Sequence, residues 1–154
     1  MNLSPYDIVL ILHSLLRWVV VIAGIVAAIK AIVGWSSDGD WGGIDRQLGL
    51  LFTISLDIQV LVGLILYFVL SPITTSNFSN FGEAMGNPTA RFFLIEHIAL
   101  MIVAVALAHI GSSLSRKAVS DHDKHRRAAI FYTLALIAIL VGIPWAGRPL
   151  FRLG

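Results

Sequence analysis

The chain has 154 residues, of which 57% are hydrophobic and only 13% are charged, and its formal net charge is +2. Soluble domains usually carry about twice that share of charged residues, so the composition indicates a membrane protein. The absence of cysteine excludes disulfides, iron–sulfur clusters, thiolate zinc sites and cysteine nucleophiles. The basic residues stand at the ends of apolar segments and form no basic face, which argues against a nucleic-acid partner.

Four apolar segments predict four membrane-spanning helices, at roughly residues 8–34, 48–70, 92–114 and 128–147. Each can cross a hydrocarbon core of about 30 Å, which takes about 20 helical residues. Open sheets are excluded because lipid offers no water to satisfy a strand edge. We therefore predict a single all-α transmembrane domain over residues 1–154, a polytopic four-helix bundle in the lipid bilayer. The first segment is too long for a signal-peptide core, and we expect it to remain as a helix.

The segments between the apolar runs carry turn residues and charges, at 36–47, 71–90 and 115–127. Pro144 and Pro149 are expected to close the last helix. The second segment is long and polar, and such loops are often functional, so we expect it to cover one end of the bundle.

Lysine and arginine placement predicts the orientation. If both termini share one side, the opposite side collects seven basic residues against three. The positive-inside rule then places both termini on the extracytoplasmic side of a bacterial inner membrane. The seven are Lys30, Arg46, Arg116, Lys117, Lys124, Arg126 and Arg127, and the three are Arg91, Arg148 and Arg152.

Polar residues within the spans are the candidate site. At 1.5 Å per residue, His13 and His97 each lie about 9 Å below the extracytoplasmic surface, on different helices. Arg17 lies one turn deeper than His13, Asp57 is nearer the middle, and Glu96 adjoins His97. Charged groups at such depth are costly and usually face a partner or a site.

Two imidazoles at one level suggest a single b-type haem, with iron held by His13 and His97 from adjacent helices. Arg17 would neutralise a haem propionate or orient His13, and Glu96 or Asp57 would handle protons. A second haem is not expected, because twelve residues separate His97 from His109 and place them about 120° apart around the helix. The alternative for His109 is a contact with His125 near the cytoplasmic surface.

Simpler interpretations remain open. Arg17 forming an internal ion pair with Asp57 or Glu96 is the more common arrangement, and interhelical polar pairs of this kind stabilise membrane bundles modestly. The chain would then be a non-enzymatic structural subunit. A third alternative is a proton-coupled carrier that uses Asp57 and Glu96, which would require oligomerisation because four helices are few for alternating access.

Several further patterns have two interpretations each. A stripe of small residues on the first helix would suit either a homodimer face or packing within the bundle: Gly24, Ala27, Ala28 and Ala31. One face of the second helix is interpreted as packing in preference to a quinone pocket: Gln59, Gly63 and Tyr67. His122 and His125 have a spacing that could hold a divalent metal, but a solvated cytoplasmic turn in contact with anionic lipid is favoured.

The chain contains the motifs "HSLLRW", "LDIQVLVGLILYF", "RFFLIEHIALMIVAVALAHIG", "KHRRAAIFYTLALIAILVGIPW" and "RPLFR", distributed between residues 13 and 152. Together they resemble a group of small four-helix bacterial membrane proteins often labelled cytochrome b-like. The resemblance implies haem b with His13 and His97 as ligands. Diheme four-helix cytochromes space paired ligands by thirteen or fourteen residues on one helix, and this chain departs from that pattern.

These observations predict a small membrane cytochrome or haem-binding subunit. It would exchange electrons with a quinol or an extracytoplasmic partner, either alone or within a larger membrane complex. One haem near the outer face cannot by itself carry electrons across about 30 Å of hydrocarbon.

Overall fold

The computed structural model describes residues 3–145, and within them the chain is helical and contains no strand. The helices are α1 (Pro5–Ser36), α2 (Gly43–Leu70), α3 (Pro72–Thr75), α4 (Phe81–Ala84), α5 (Pro88–Lys117) and α6 (Asp121–Gly142). Helices α1, α2, α5 and α6 are long and apolar enough to cross a membrane. The predicted all-α architecture with four long apolar helices is confirmed, and these helices are compatible with a multi-pass membrane bundle. Pro149, Arg148 and Arg152 lie outside the described residues.

Local capping explains where the first and last helices begin. Ser4 accepts a hydrogen bond from the backbone N–H of Asp7, whose carboxylate accepts from the Ser4 N–H in return, forming a capping box. Ser120 accepts from the backbone N–H of Asp123 at 3.1 Å. Helix α6 therefore begins at Asp121, well before the predicted start at 128, and the charged segment that follows Ser120 is helical.

Helix α6 ends at Gly142, because the residue before a proline is biased away from helical geometry. Ile143, which precedes Pro144, is extended with ψ 129°. The predicted end at residue 147 is thus too late, although Pro144 does close the helix as expected.

The four long helices form a ring in the order α1, α2, α5, α6, with each helix packed on its two neighbours. Helices α1 and α5 therefore lie diagonally across the bundle. His13 and His97 were expected on adjacent helices, and that expectation is wrong. The two side chains approach each other across the interior of the bundle.

Small residues let α1 and α6 pack closely. The stripe of Gly24, Ala27, Ala28 and Ala31 on α1 is buried within the bundle. The stripe therefore serves internal packing, and its interpretation as a homodimer face is wrong. Close approach of backbones through small residues is a common way to join membrane helices.

The end of the bundle near His13 and His97 is built from irregular helix. The last turn of α2 (Leu66–Leu70) and the second turn of α5 (Phe92–Glu96) are π-helical. The Tyr67 hydroxyl donates to the Leu94 carbonyl at 2.9 Å and joins these two turns. The Thr74 hydroxyl donates to the Tyr67 carbonyl at 2.6 Å and ties α3 onto the end of α2. The segment 71–90, predicted to be a long loop, contains α3, α4 and the start of α5.

Candidate functional site

The structure brings His13 of α1 and His97 of α5 together in the bundle interior. Their ring centroids are 6.3 Å apart and the ring planes are inclined by 73°. Both rings line one cavity. The sequence-based expectation that these two imidazoles share a level is consistent with this arrangement.

The His97 ring is oriented by the end of α6. Its Nδ1 lies 2.7 Å from the carbonyl oxygen of Gly142. A carbonyl oxygen can only accept, so we assign the ring proton to Nδ1, which makes Nε2 the atom that would ligate a metal. A backbone carbonyl on the other nitrogen is the usual way in which a protein orients a metal-ligating histidine.

Gly142 allows this close approach. A Cβ at that position would lie 2.5 Å from Cε of Met101 and 3.3 Å from Cβ of Leu100. The lack of a side chain thus lets the end of α6 lie against α5 at the level of His97. Nothing in the sequence pattern alone identified Gly142 as a partner of a histidine.

The His13 ring packs against α2, where it contacts Gln59 and lies beside Gly63. The Gln59 amide nitrogen lies 3.0 Å from the His13 carbonyl oxygen and 3.3 Å from its Nε2. A Cβ on Gly63 would come within 3.1 Å of His13 Cε1. Gln59 and Gly63 were interpreted as packing residues, but together with Tyr67 they line the cavity. The available signal was an uncharged amide in an otherwise apolar span.

The cavity is partly open to the outside and is lined by all four long helices. The space that it offers to the centres of water-sized molecules is about 120 Å³. Its lining is mainly apolar, with a few polar side chains. Those polar residues include Tyr6, His13, Ser14, Arg17, Gln59, Tyr67, Ser71, Thr74 and His97. Because Ser71 and Thr74 contribute to the wall, the 71–90 segment borders the site as expected.

Arg17 also lines the cavity, one helical turn from His13. Its Cζ lies 5.5 Å from the centre of the Trp18 ring, within the range of a cation–π contact. Arg17 is half-buried. It belongs to the same site as the two histidines because all three residues line one cavity.

Asp57 and Glu96 are not in the cavity wall. Asp57 Oδ1 lies 2.8 Å from Nε2 of His109, and Glu96 Oε1 lies 2.9 Å from Nε of Arg91. The two carboxylate side chains are 40% and 45% exposed. Their ion-pair partners are therefore His109 and Arg91, contrary to the predicted pairing with Arg17. On α2, Asp57 faces outward, whereas Gln59 is buried and lines the cavity.

A second imidazole cluster occupies the other end of the bundle. His125 is completely buried, its ring centroid is 4.9 Å from that of Trp41, and its Nδ1 is 3.9 Å from Asp45 Oδ1. Lys30 bonds the same carboxylate oxygen at 2.9 Å. His125 is thus a packed core residue, and neither its place in a solvated turn nor its contact with His109 is correct.

His122 lies near this cluster but at the surface. Its Nδ1 is 2.5 Å from Asp38 Oδ1, and its Nε2 accepts from the Trp35 indole at 3.2 Å. Among the described residues, no three histidine or acidic side chains are grouped to hold a metal ion. The divalent-metal interpretation of His122 and His125 has no support from their geometry.

The spacing of His13 and His97 suits a metal between them. Two imidazoles on one iron have centroids roughly 6 Å apart, since each metal–nitrogen bond is about 2 Å and each ring adds about 1 Å. The tautomer assigned to His97, with its proton on Nδ1, is also compatible with metal ligation through Nε2. The Nε2 of His13 faces the Gln59 amide, so haem ligation through that atom would replace this contact. A porphyrin supplies the four equatorial ligands, so two histidines suffice.

No protein family, curated protein or solved structure matches the chain. The resemblance to cytochrome b-like membrane proteins therefore stays a prediction. The geometry of the cavity is the structural feature that bears on function.

Proposed function

We propose that the protein is a small membrane cytochrome that holds one b-type haem between His13 and His97. The observation that carries the proposal is the 6.3 Å separation of two imidazoles in the wall of one cavity. When bound, the haem would supply a one-electron redox centre.

The remaining polar groups have roles that follow from their positions. The Gly142 carbonyl fixes the His97 ring, and Gly63 leaves room for the His13 ring. Arg17 would neutralise a propionate, because a guanidinium matches the geometry of a carboxylate. Asp57 and Glu96 are outside the cavity, so a direct role for them in proton transfer at this site is not supported.

We place the protein in a bacterial inner membrane with both termini on the extracytoplasmic side. The seven-to-three distribution of basic residues supports this orientation. The cavity would then open toward the extracytoplasmic half of the bilayer. A quinol or an extracytoplasmic redox protein would exchange electrons there, and the chain would act alone or as a subunit of a larger complex.

A structural subunit is the second candidate, and the Gln59 contacts favour it. Its amide bridges α2 to both the backbone and the ring of His13. In that case, the polar side chains of the cavity would lock the helices together without a cofactor. A proton-coupled carrier is less supported, since its candidate residues Asp57 and Glu96 lie in surface ion pairs.

A reduced-minus-oxidised optical spectrum distinguishes these candidates. We expect protein purified from haem-replete cells to show a sharp α band of b type. His13→Ala and His97→Ala should each abolish or strongly weaken the band, because each removes one of the two histidines that would hold the iron. His122→Ala is the matched control, since it removes an imidazole far from the cavity, and it should retain the band.

Gln59→Leu separates the two leading candidates further. If Gln59 only competes with iron for the His13 ring, the variant should keep its haem band. If the polar contacts are a structural lock, the variant should be less stable and the wild-type protein should be colourless. Colourless wild-type protein from haem-replete cells overturns the cytochrome proposal.

A further inference from the structure

One polar pair lies on the outer surface of the bundle, where the apolar helices meet lipid. Asp57 of α2 and His109 of α5 are joined at 2.8 Å, and their side chains are 40% and 51% exposed. Asp57 is about 20 Å from either end of α2, at 1.5 Å per residue. It therefore lies near the middle of the span and not at the lipid–water interface.

The pair leaves polar atoms that lipid cannot satisfy. A carboxylate has about four acceptor sites and an imidazole has two nitrogens. Within residues 3–145, Asp57 and His109 make only their one mutual bond. In a bilayer, the remaining acceptors and the second ring nitrogen would face hydrocarbon, where no water offers a bond. Such residues usually face a bundle interior or another chain.

The surrounding surface is apolar. Ile54 and Leu61 flank Asp57 on the outward face of α2, with 48% and 61% exposed, and Ile102 lies on α5 with 59% exposed. These side chains would pack against any helix that covers the pair. The pair and its apolar border lie on the opposite side of the ring from the junction of α1 with α6.

We propose that this face is the two-fold interface of a homodimer. The surface carries an acid and a base side by side, so it is complementary to a copy of itself. A two-fold axis beside the pair brings Asp57 of one copy toward His109 of the other. The same contact then forms twice, once on each side of the axis. A different subunit would need its own acid and base at matching depth, whereas a second copy carries both.

Cysteine cross-linking in membranes tests the proposal directly, because the chain has no cysteine of its own. Single variants Ile54→Cys and Leu61→Cys put a thiol beside the proposed axis. Ile137→Cys is the matched control, since Ile137 is 51% exposed on α6, diagonally across the ring from α2. Under mild oxidation we expect a disulfide-linked dimer from at least one α2 variant, at several-fold the yield of the control.

The double variant Asp57→Leu with His109→Leu then tests the polar pair. It replaces two surface groups by apolar ones, so the bundle should still fold and any cofactor in the cavity should be retained. We expect the cross-linked dimer to fall several-fold. The exchanged variant Asp57→His with His109→Asp keeps one carboxylate and one imidazole at the same place and should restore most of the dimer.

Two results would overturn the homodimer. One is equal cross-linking at the α2 positions and at Ile137→Cys, which indicates random collision. The other is a monomeric chain whose Ile54→Cys and Leu61→Cys variants give either no adduct or an adduct with a protein of another mass. These results are independent of haem binding, because the Asp57–His109 pair does not line the cavity.

Discussion

The two ends of the bundle both contain imidazoles between the long helices, yet they differ in packing. At one end, His13 and His97 line an open cavity. At the other, His125 is fully enclosed, with Trp41 on its face and Asp45 near its edge. The first end has a cavity beside its histidines, whereas the His125 ring is fully buried. A buried histidine thus indicates a site only where the structure leaves room beside it.

The glycines beside the histidines also differ in how closely they are packed at the two ends of the bundle. A Cβ on Gly34 would lie 2.2 Å from Cε1 of His125, whereas a Cβ on Gly63 would lie 3.1 Å from Cε1 of His13. A methyl group at Gly34 would therefore overlap a fully buried ring, whereas one at Gly63 would require the His13 ring to shift by a few tenths of an ångström.

The largest effect is expected from Gly34→Ala. The new methyl group would overlap the buried imidazole, and overpacking of a tight core typically costs about 1–3 kcal/mol. We expect a loss near the upper end of this range in the free energy of unfolding, measured by denaturant titration in micelles. Gly43→Ala is the control, since its Cβ would meet nothing within 4 Å. A tolerated Gly34→Ala would contradict the tight packing of this end.

The paired variants His125→Ala and His13→Ala compare the two ends directly. Removing a large buried side chain costs about 2–5 kcal/mol when the space cannot collapse, and His125 is fully enclosed. His13 already borders open volume, so in haem-free protein His13→Ala should cost roughly 1 kcal/mol, close to the value of a typical hydrogen bond. If the same unfolding titration gives equal losses of unfolding free energy for the two variants, the two ends of the bundle do not differ in packing as described.

Gly63→Ala should have a smaller effect on stability than the preceding variants. It should also change the haem spectrum. At 3.1 Å, the added methyl requires the His13 ring to shift by only a few tenths of an ångström. We expect less than about 1 kcal/mol of destabilisation. The haem α band should weaken or shift, because the ligand ring is displaced. An unchanged spectrum with full haem content would argue that His13 is not a ligand.

The smallest effect is expected from Trp35→Phe. The indole donates to His122 at 3.2 Å in an exposed position. The loss should be about 0.5 kcal/mol, at the low end of the range for a single hydrogen bond. A loss as large as that of His125→Ala would show that the surface contact is part of the enclosed cluster.

The four spanning helices could be predicted from sequence because each is a continuous apolar segment of sufficient length. The ends of the helices were harder to predict from the sequence. The charges of residues 121–127 suggested a loop, yet Ser120 caps a helix that begins there and contains them. The signal was present, since a serine with an acidic residue three positions later is a helix-start pattern.

The candidate site was predictable only in part. Depth along each helix indicated that His13 and His97 share a level, since rise per residue is constant. The partners were not predictable, because they depend on helix order. The diagonal placement of α1 and α5 puts Gln59 of the intervening helix against His13. The same ring order brings Asp57 to His109 on the outer surface, away from Arg17.

The haem content of the purified chain tests the central claim most directly. We expect about one haem b per chain in wild-type protein. We also expect a strong loss in His97→Ala, together with retention in His122→Ala. Protein that folds in a haem-replete host without haem, or that keeps its full haem content after His13→Ala and His97→Ala, would contradict the account.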